Sequence, residues 1–108
     1  MNDYLRPGLT DNSLEEQLIL AEEKKDPNAQ FLLGESYYYG KGVERNYAEA
    51  MRWYYKAAEN GLVKAQYLLG VFYRYGSRGL IRDENKAKKW FEKAASLGCE
   101  EAIRELER

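Results

Sequence analysis

Residues 65–76 read AQYLLGVFYRYG, and thirty-six positions earlier residues 29–40 read AQFLLGESYYYG. Eight of the twelve positions are identical, and one of them is a glycine inside a stretch with helical spacing, Gly34 and again Gly70. The likeness runs on. Ala29, Gly34, Tyr37 and Gly40 return as Ala65, Gly70, Tyr73 and Gly76 at a spacing of 36. After one inserted residue, Ala50, Trp53, Ala57, Ala58 and Gly61 return as Ala87, Trp90, Ala94, Ala95 and Gly98 at 37. Self-similarity at such a period marks a stacked array, so 27–61 and 62–98 are two copies of one unit.

Each unit holds two helices. In 29–39, Ala29, Leu33 and Tyr37 recur every fourth residue, one face of a helix. The glycine loop GKGV (40–43) follows, then Asn46 as N-cap of a second helix running to about Asn60. Gly61 stops that helix, and Asp83 and Gly98 do the same work in the copy. A glycine inside a helix costs roughly 1 kcal/mol relative to alanine. One kept twice at the same phase predicts a close approach of another helix at Gly34 and Gly70. The pairs Ala57–Ala58 and Ala94–Ala95 offer similarly small surfaces, and Trp53 and Trp90 fill the wider gaps.

The ends fit the same scheme. Shifted by 36, Leu14, Leu18 and Ala21 match Ala50, Tyr54 and Ala57, which predicts a helix over 13–25 opened by a Ser13–Glu16 capping box. Gln17 and Glu22 then stand where Trp53 and Ala58 stand. Ala102 and Leu106 match Ala65 and Leu69, Glu107 replaces Gly70, and Cys99 falls with Val63 at a helix start. Polar outer faces suit the terminal units of an array.

The 108 residues suffice for one small domain. A formal charge of −1 gives no reason to expect nucleic acid or an anionic membrane as partner. The charge is uneven, with 6 basic and 10 acidic side chains in 1–54 against 11 and 8 in 55–108. There is no histidine, which removes the commonest general base and metal ligand, and Cys99 is the only cysteine. MNDYLRPGLTDNS has no basic-then-apolar leader, and no apolar run approaches the ~18 residues of a spanning helix. The expectation is a soluble, cytoplasmic protein in a reducing environment, without metal or cofactor.

The pattern A-Q-[FY]-x-L-G-x-x-Y-x-x-G followed by W-[YF]-x-K-A-A-x-x-G resembles the Sel1-like repeat, a relative of the tetratricopeptide repeat. The likeness covers 27–98 almost completely, with capping half-repeats at 10–26 and 99–108. It implies an all-α fold, a right-handed α–α superhelix of antiparallel pairs, about six helices in a single domain over 1–108. It also implies the family's usual role as adaptor or scaffold for other proteins, bacterial members included. A cysteine-rich branch linked to penicillin binding finds no matching cysteines here. Small stand-alone proteins similar to this family also accompany secreted effectors, which leaves a second reading, a dedicated inhibitor or immunity protein of a bacterial toxin.

In stacked helix pairs the first helices line the concave surface. The arc opposite the pattern positions contains Asn28, Leu32, Glu35 and Tyr39 in one copy, and Lys64, Leu68, Val71 and Tyr75 in the other. Tyr38 and Arg74 stand at its margin. Contiguous apolar surface marks interaction sites, and Tyr and Arg concentrate at their energetic centres. The arc is therefore the expected site for a protein or peptide. Cover by neighbouring helices or by the N-terminal MNDYLRPGL, and pairing with a second copy, are the competing uses. Arg78, Ile81 and Arg82 in the longer second loop form a candidate secondary contact.

Other features read more plainly. Lys86, Lys89 and Lys93 form a stripe along one helix with Glu84 and Glu92 nearby and no interleaved aromatics, a solvated face rather than a phosphate track. The loops GKGV and GSRGL (76–80) lack the spacing of a phosphate-binding loop. The terminal glutamates have no apolar pocket to raise a catalytic pKa, and Cys99 has no histidine to activate it. The expected function is non-catalytic recognition.

Overall fold

The helices that follow Asn46 and Asp83 begin at polar caps and end just before a glycine in the left-handed region, and both signals recur one repeat apart. A computed structural model describes residues 9–108, with side chains from Leu14 onward. Among the described residues six helices follow one another: α1 Leu9–Glu22, α2 Pro27–Tyr39, α3 Tyr47–Glu59, α4 Val63–Tyr75, α5 Glu84–Ser96 and α6 Glu100–Leu106. Asn46 Oδ1 accepts from the Glu49 amide at 3.0 Å, and Asp83 Oδ1 from the Lys86 amide at 3.1 Å. These bonds satisfy amides that a helix start leaves without partners. Gly61 and Gly98 both stand at φ +94°. The two intra-repeat loops close with one bond, Asn46 N to Tyr37 O and Asp83 N to Tyr73 O, each 2.8 Å. The residue inserted in the second loop is therefore absorbed between those anchors.

The repeated glycine seats an aromatic ring. A Cβ at Gly34 would lie 2.5 Å from Tyr54 Cδ1, and one at Gly70 would lie 2.5 Å from Phe91 Cε1. The close approach expected at Gly34 and Gly70 is present. The group that makes it is the ring after each tryptophan, Tyr54 and Phe91. The alanines serve a different junction: Ala57, Ala58 and Ala65 are fully buried in the α3–α4 core with Leu69 and Trp90. Trp53 packs correspondingly on Ala21, Ala29 and Leu33. Each tryptophan thus joins its repeat to the helix pair before it.

A second repeated device ties one pair to the next. Gln30 Nε2 donates to the Ala21 carbonyl at 3.0 Å, and Gln66 Nε2 donates to the Ala58 carbonyl at 3.1 Å. Both glutamines are buried, and each satisfies a carbonyl at the end of the preceding helix. This bond makes Ala21 equivalent to Ala58, not Ala57, which corrects the register expected for α1. The turn after α1 is one residue longer and holds Lys25 at φ 54°. The helix also starts at Leu9, so Ser13 lies inside it and no Ser13–Glu16 capping box opens it. At the other end Cys99 is the N-cap of α6, the position Leu62 holds before α4 rather than that of Val63.

Packing arranges the helices in two layers. Tyr38 of α2 stacks on Phe72 of α4 (centroids 5.7 Å, planes 10° apart), and α6 lies against the other side of α4 through Val71 and Leu106. Across the second layer Tyr55 of α3 meets Trp90 of α5 edge-on at 5.6 Å. The described chain measures 57 × 26 × 19 Å, the elongated shape of a solenoid in which each unit buries surface against its neighbours. No described helix is long and apolar enough to cross a membrane.

Candidate functional site

The arc predicted on α2 and α4 divides once the layers are built. On α2, Leu32 is 45% and Tyr39 61% exposed, seven residues and two helical turns apart on one face. Glu35 between them is half-buried. Lys41 folds back so that its Nζ lies 5.4 Å from the Tyr39 ring centroid, and Lys64 does the same over Phe31 at 4.7 Å. The surface here is apolar, with ammonium groups at its edges.

On α4 the corresponding positions are occupied by the fold itself. Leu68 is half-buried against the core that contains Phe31, and Val71 packs against the cluster holding Phe91 and Ala102. Arg74 stands at no open margin. Its Nη1 donates to the Glu105 carbonyl at 2.6 Å and to Glu105 Oε1 at 3.0 Å, and its Nη2 donates to Glu84 Oε2 at 2.5 Å. Pairing with Glu84 and Glu105 holds the guanidinium well above its ordinary range, and Arg74 in turn holds the Glu84 carboxyl below the usual carboxylate range. Tyr75 keeps an exposed ring, but its hydroxyl donates to Glu105 Oε1 at 2.9 Å. Arg74 joins α4, α5 and α6 in one bridge.

Tyr38, placed at the margin by its spacing, is interior to an aromatic cluster. Its ring lies 5.1 Å from Tyr47 and 6.3 Å from Tyr54 besides the stack on Phe72, and its hydroxyl is 3.1 Å from Ser77 Oγ. Burial pushes the Tyr54 phenol well above its ordinary range. The second loop packs onto this cluster. Leu80 turns inward, and a Cβ on Gly79 would sit 2.9 Å from Tyr47 Cβ. Arg78 Nη1 donates to the Tyr47 hydroxyl at 3.3 Å, and this bond, with Arg45 beside it, lowers the Tyr47 phenol. Of the loop trio, Arg78 is engaged with the first repeat, Arg82 is exposed, and Ile81 is 87% exposed. Of the segment MNDYLRPGL, expected as one cover for the arc, residues 1–8 lie outside the described residues and Leu9 begins α1.

The lysine stripe is exposed, as its spacing implied, but the expected absence of aromatic neighbours is wrong. Lys86, Lys89 and Lys93 line one wall of a cleft of about 320 Å³ whose other lining residues are Trp90, Tyr55, Tyr73 and Glu59. Aromatic rings do accompany the lysines: Lys86 Nζ is 5.6 Å from the Tyr73 centroid and Lys93 Nζ 5.1 Å from that of Trp90. Trp90 adjoins the lysines in sequence. Tyr55 and Tyr73 arrive from other helices, and no spacing along α5 could announce them.

The family model described as Sel1 repeat matches residues 27–62 and 63–99. The chitin synthase regulator SKT5 of Saccharomyces cerevisiae is 41% identical over 78 residues, covering 72% of this chain and 10% of that protein. The ERAD-associated E3 ubiquitin-protein ligase component HRD3A of Arabidopsis thaliana is 42% identical over 74 residues, covering 68% and 11%. Among solved structures, a protective antigen of uropathogenic Escherichia coli displaying an SLR fold superposes with a TM-score of 0.75 at 36% identity, over 86% of this chain and 20% of that one. A Sel1 repeat protein from Oxalobacter formigenes gives 0.73 at 35% identity, over 91% and 40%. The chain spans about a tenth of the length of these two curated relatives. Two complete repeats, with the glycine–ring seat and the glutamine tie present in both, carry the assignment: this chain belongs to the Sel1 repeat family.

Proposed function

We propose that the chain is a non-catalytic protein-interaction module that holds a protein or peptide against the open face of α2, in the layer that is concave in stacked helix pairs of this kind. The observation carrying this reading is the exposure of Leu32 and Tyr39 on one face of a helix whose other sides are packed. Exposed apolar side chains in a common strip lose water when a partner covers them, at roughly 25 cal/mol per Å² of apolar area. Tyr39 also carries a hydroxyl and a neighbouring ammonium for orientation. The relatives point the same way, since their names are those of a regulator and of a component of a larger ligase. On α4, Leu68 is half-buried against the core and the Tyr75 hydroxyl is tied to Glu105, while Tyr38, Val71 and Arg74 serve the fold and Ile81 and Arg82 remain a separate contact. Cytoplasmic work inside an assembly of other proteins fits this reading.

The test is affinity capture from the source cell by the wild-type chain and by a Leu32→Ser, Tyr39→Ser variant of unchanged helicity, with solution masses recorded for both. Capture of one dominant protein by the wild type alone supports the site. If that protein is an enzyme silenced on binding, the chain is a dedicated inhibitor, and if its activity continues, an adaptor. Equal capture by both chains moves the site elsewhere. A change confined to the mass of the free protein makes the strip a self-association surface.

A further inference from the structure

The cleft between α3 and α5 lies in the other layer, and its chemistry differs from that of the α2 strip. Lys86, Lys89 and Lys93 place three ammonium groups along about 10 Å of helix. None of the three belongs to an ion pair among the described residues, whereas Arg52, Arg74 and Arg108 all do. The opposite wall supplies one carboxylate, Glu59, beside Tyr55, whose phenol it pushes upward. Three cations facing one anion leave net positive charge in a partly enclosed space, where a bound carboxylate is less screened than on open surface.

The rings decide which anion fits. Nucleobases would need open aromatic faces to stack upon. Trp90 is only 8% exposed, with Lys93 over it and Tyr55 edge-on, and Lys86 lies over Tyr73. What remains open is Tyr55, 45% exposed, a surface for an aliphatic side chain. We propose that this cleft binds an acidic peptide segment of a partner protein, two or three carboxylates meeting Lys86, Lys89 and Lys93 while an intervening apolar side chain rests on Tyr55. The site is independent of the α2 strip, so one molecule can hold two partners, or two parts of one.

The probe is a short fluorescent peptide rich in glutamate with one central leucine, followed by anisotropy at two ionic strengths. The wild-type chain binds it, more weakly as salt rises. A Lys86→Gln, Lys89→Gln, Lys93→Gln variant loses about tenfold or more in affinity, as expected for three weak ion pairs. A Lys24→Gln, Lys88→Gln, Arg104→Gln variant removes the same charge outside the cleft and keeps the affinity. Circular dichroism confirms that all three chains fold. The proposal is overturned by absence of binding, by equal losses in the two variants, by tighter binding of single-stranded oligothymidine, or by loss of binding on dimerisation. Leu32→Ser, Tyr39→Ser leaves this binding unchanged even if the α2 strip proves inert, which keeps the two sites distinguishable.

Discussion

The two repeats share eight of twelve residues in their first helices, yet one displays its outer face and the other uses it. In the first, Leu32 and Tyr39 stand in solvent. In the second, Arg74 and Tyr75 are bound to Glu105 of α6, and Val71 packs in the same cluster as Ala102 and Leu106 of that helix. What is common to both units is what each does internally or toward the unit before it: the ring on the glycine, the polar cap, the glutamine tie. What differs faces the unit after it. Glu105 lies 37 residues after Leu68, so a carboxylate replaces a core aliphatic where the array meets α6. A repeat's identity is therefore local, and its availability for binding is set by its neighbour.

The largest expected effect tests that contrast directly. Arg74→Met takes from Glu105, 11% exposed at its side chain, the nearer of its two cations, leaving Arg108 at 3.4 Å, and should lower stability by about 2–3 kcal/mol in urea unfolding. Adding Glu105→Leu, which restores the residue type of Leu68, should recover most of the loss. If Arg74→Met is neutral, the bridge does not distinguish the repeats and the α4 face is open after all.

Gly34→Ala and Gly70→Ala probe what the repeats share. Overpacking against a fully buried ring costs about 1–3 kcal/mol, against which the helix gains up to about 1 kcal/mol from losing its glycine. Both variants should therefore lose about 1–2 kcal/mol, and by similar amounts. A stable variant at either position would show that its ring can move and that the seat is not a common device.

A smaller difference sits at the glutamine ties. Gln30 Oε1 accepts from Asn60 Nδ2 at 3.0 Å, but Gln66 Oε1 is buried without a partner. The residue equivalent to Asn60 is Leu97, which is 57% exposed. Leu97→Asn should raise the melting temperature, corresponding to about 1 kcal/mol, and Asn60→Leu should lower stability by about 1–2 kcal/mol. The pair of shifts would make the second tie like the first and the first like the second.

The smallest effect is in pH. Arg74 depresses the Glu84 carboxyl from its ordinary 4.5, so the folded state holds the anion more firmly than the unfolded chain does. The contribution is present above about pH 4.5 and disappears as pH falls through the lower folded value. The stability difference between wild type and Glu84→Gln should shrink on acidification below that point. It should not change between pH 6 and 8, where the carboxyl is ionised in both states; a change there would assign the difference to another group.

Much of this molecule was legible in order along the chain. Helix starts at Asn46 and Asp83, stops at Gly61 and Gly98, and the packing demand at Gly34 and Gly70 each depend on a few neighbouring residues or on one repeated partner. Spacing alone placed Leu32 and Tyr39 on an open face, and it recognised the lysine stripe. It failed at Tyr38, Val71 and Arg74, because helical phase names a face without naming what lies against it. It failed at Tyr55 and Tyr73 beside the lysines for the same reason.

By itself, the sequence determined the period, the helices, the family and the residues that every repeat needs, since local caps and an internal partner are written within about forty residues. The tertiary structure decided which apolar positions are surface and which are interior, which cations are paired, and where lysines and aromatic rings form a cleft. Those outcomes depend on side chains brought together from separate helices, and side-chain burial and ion pairing exist only once the layers have packed.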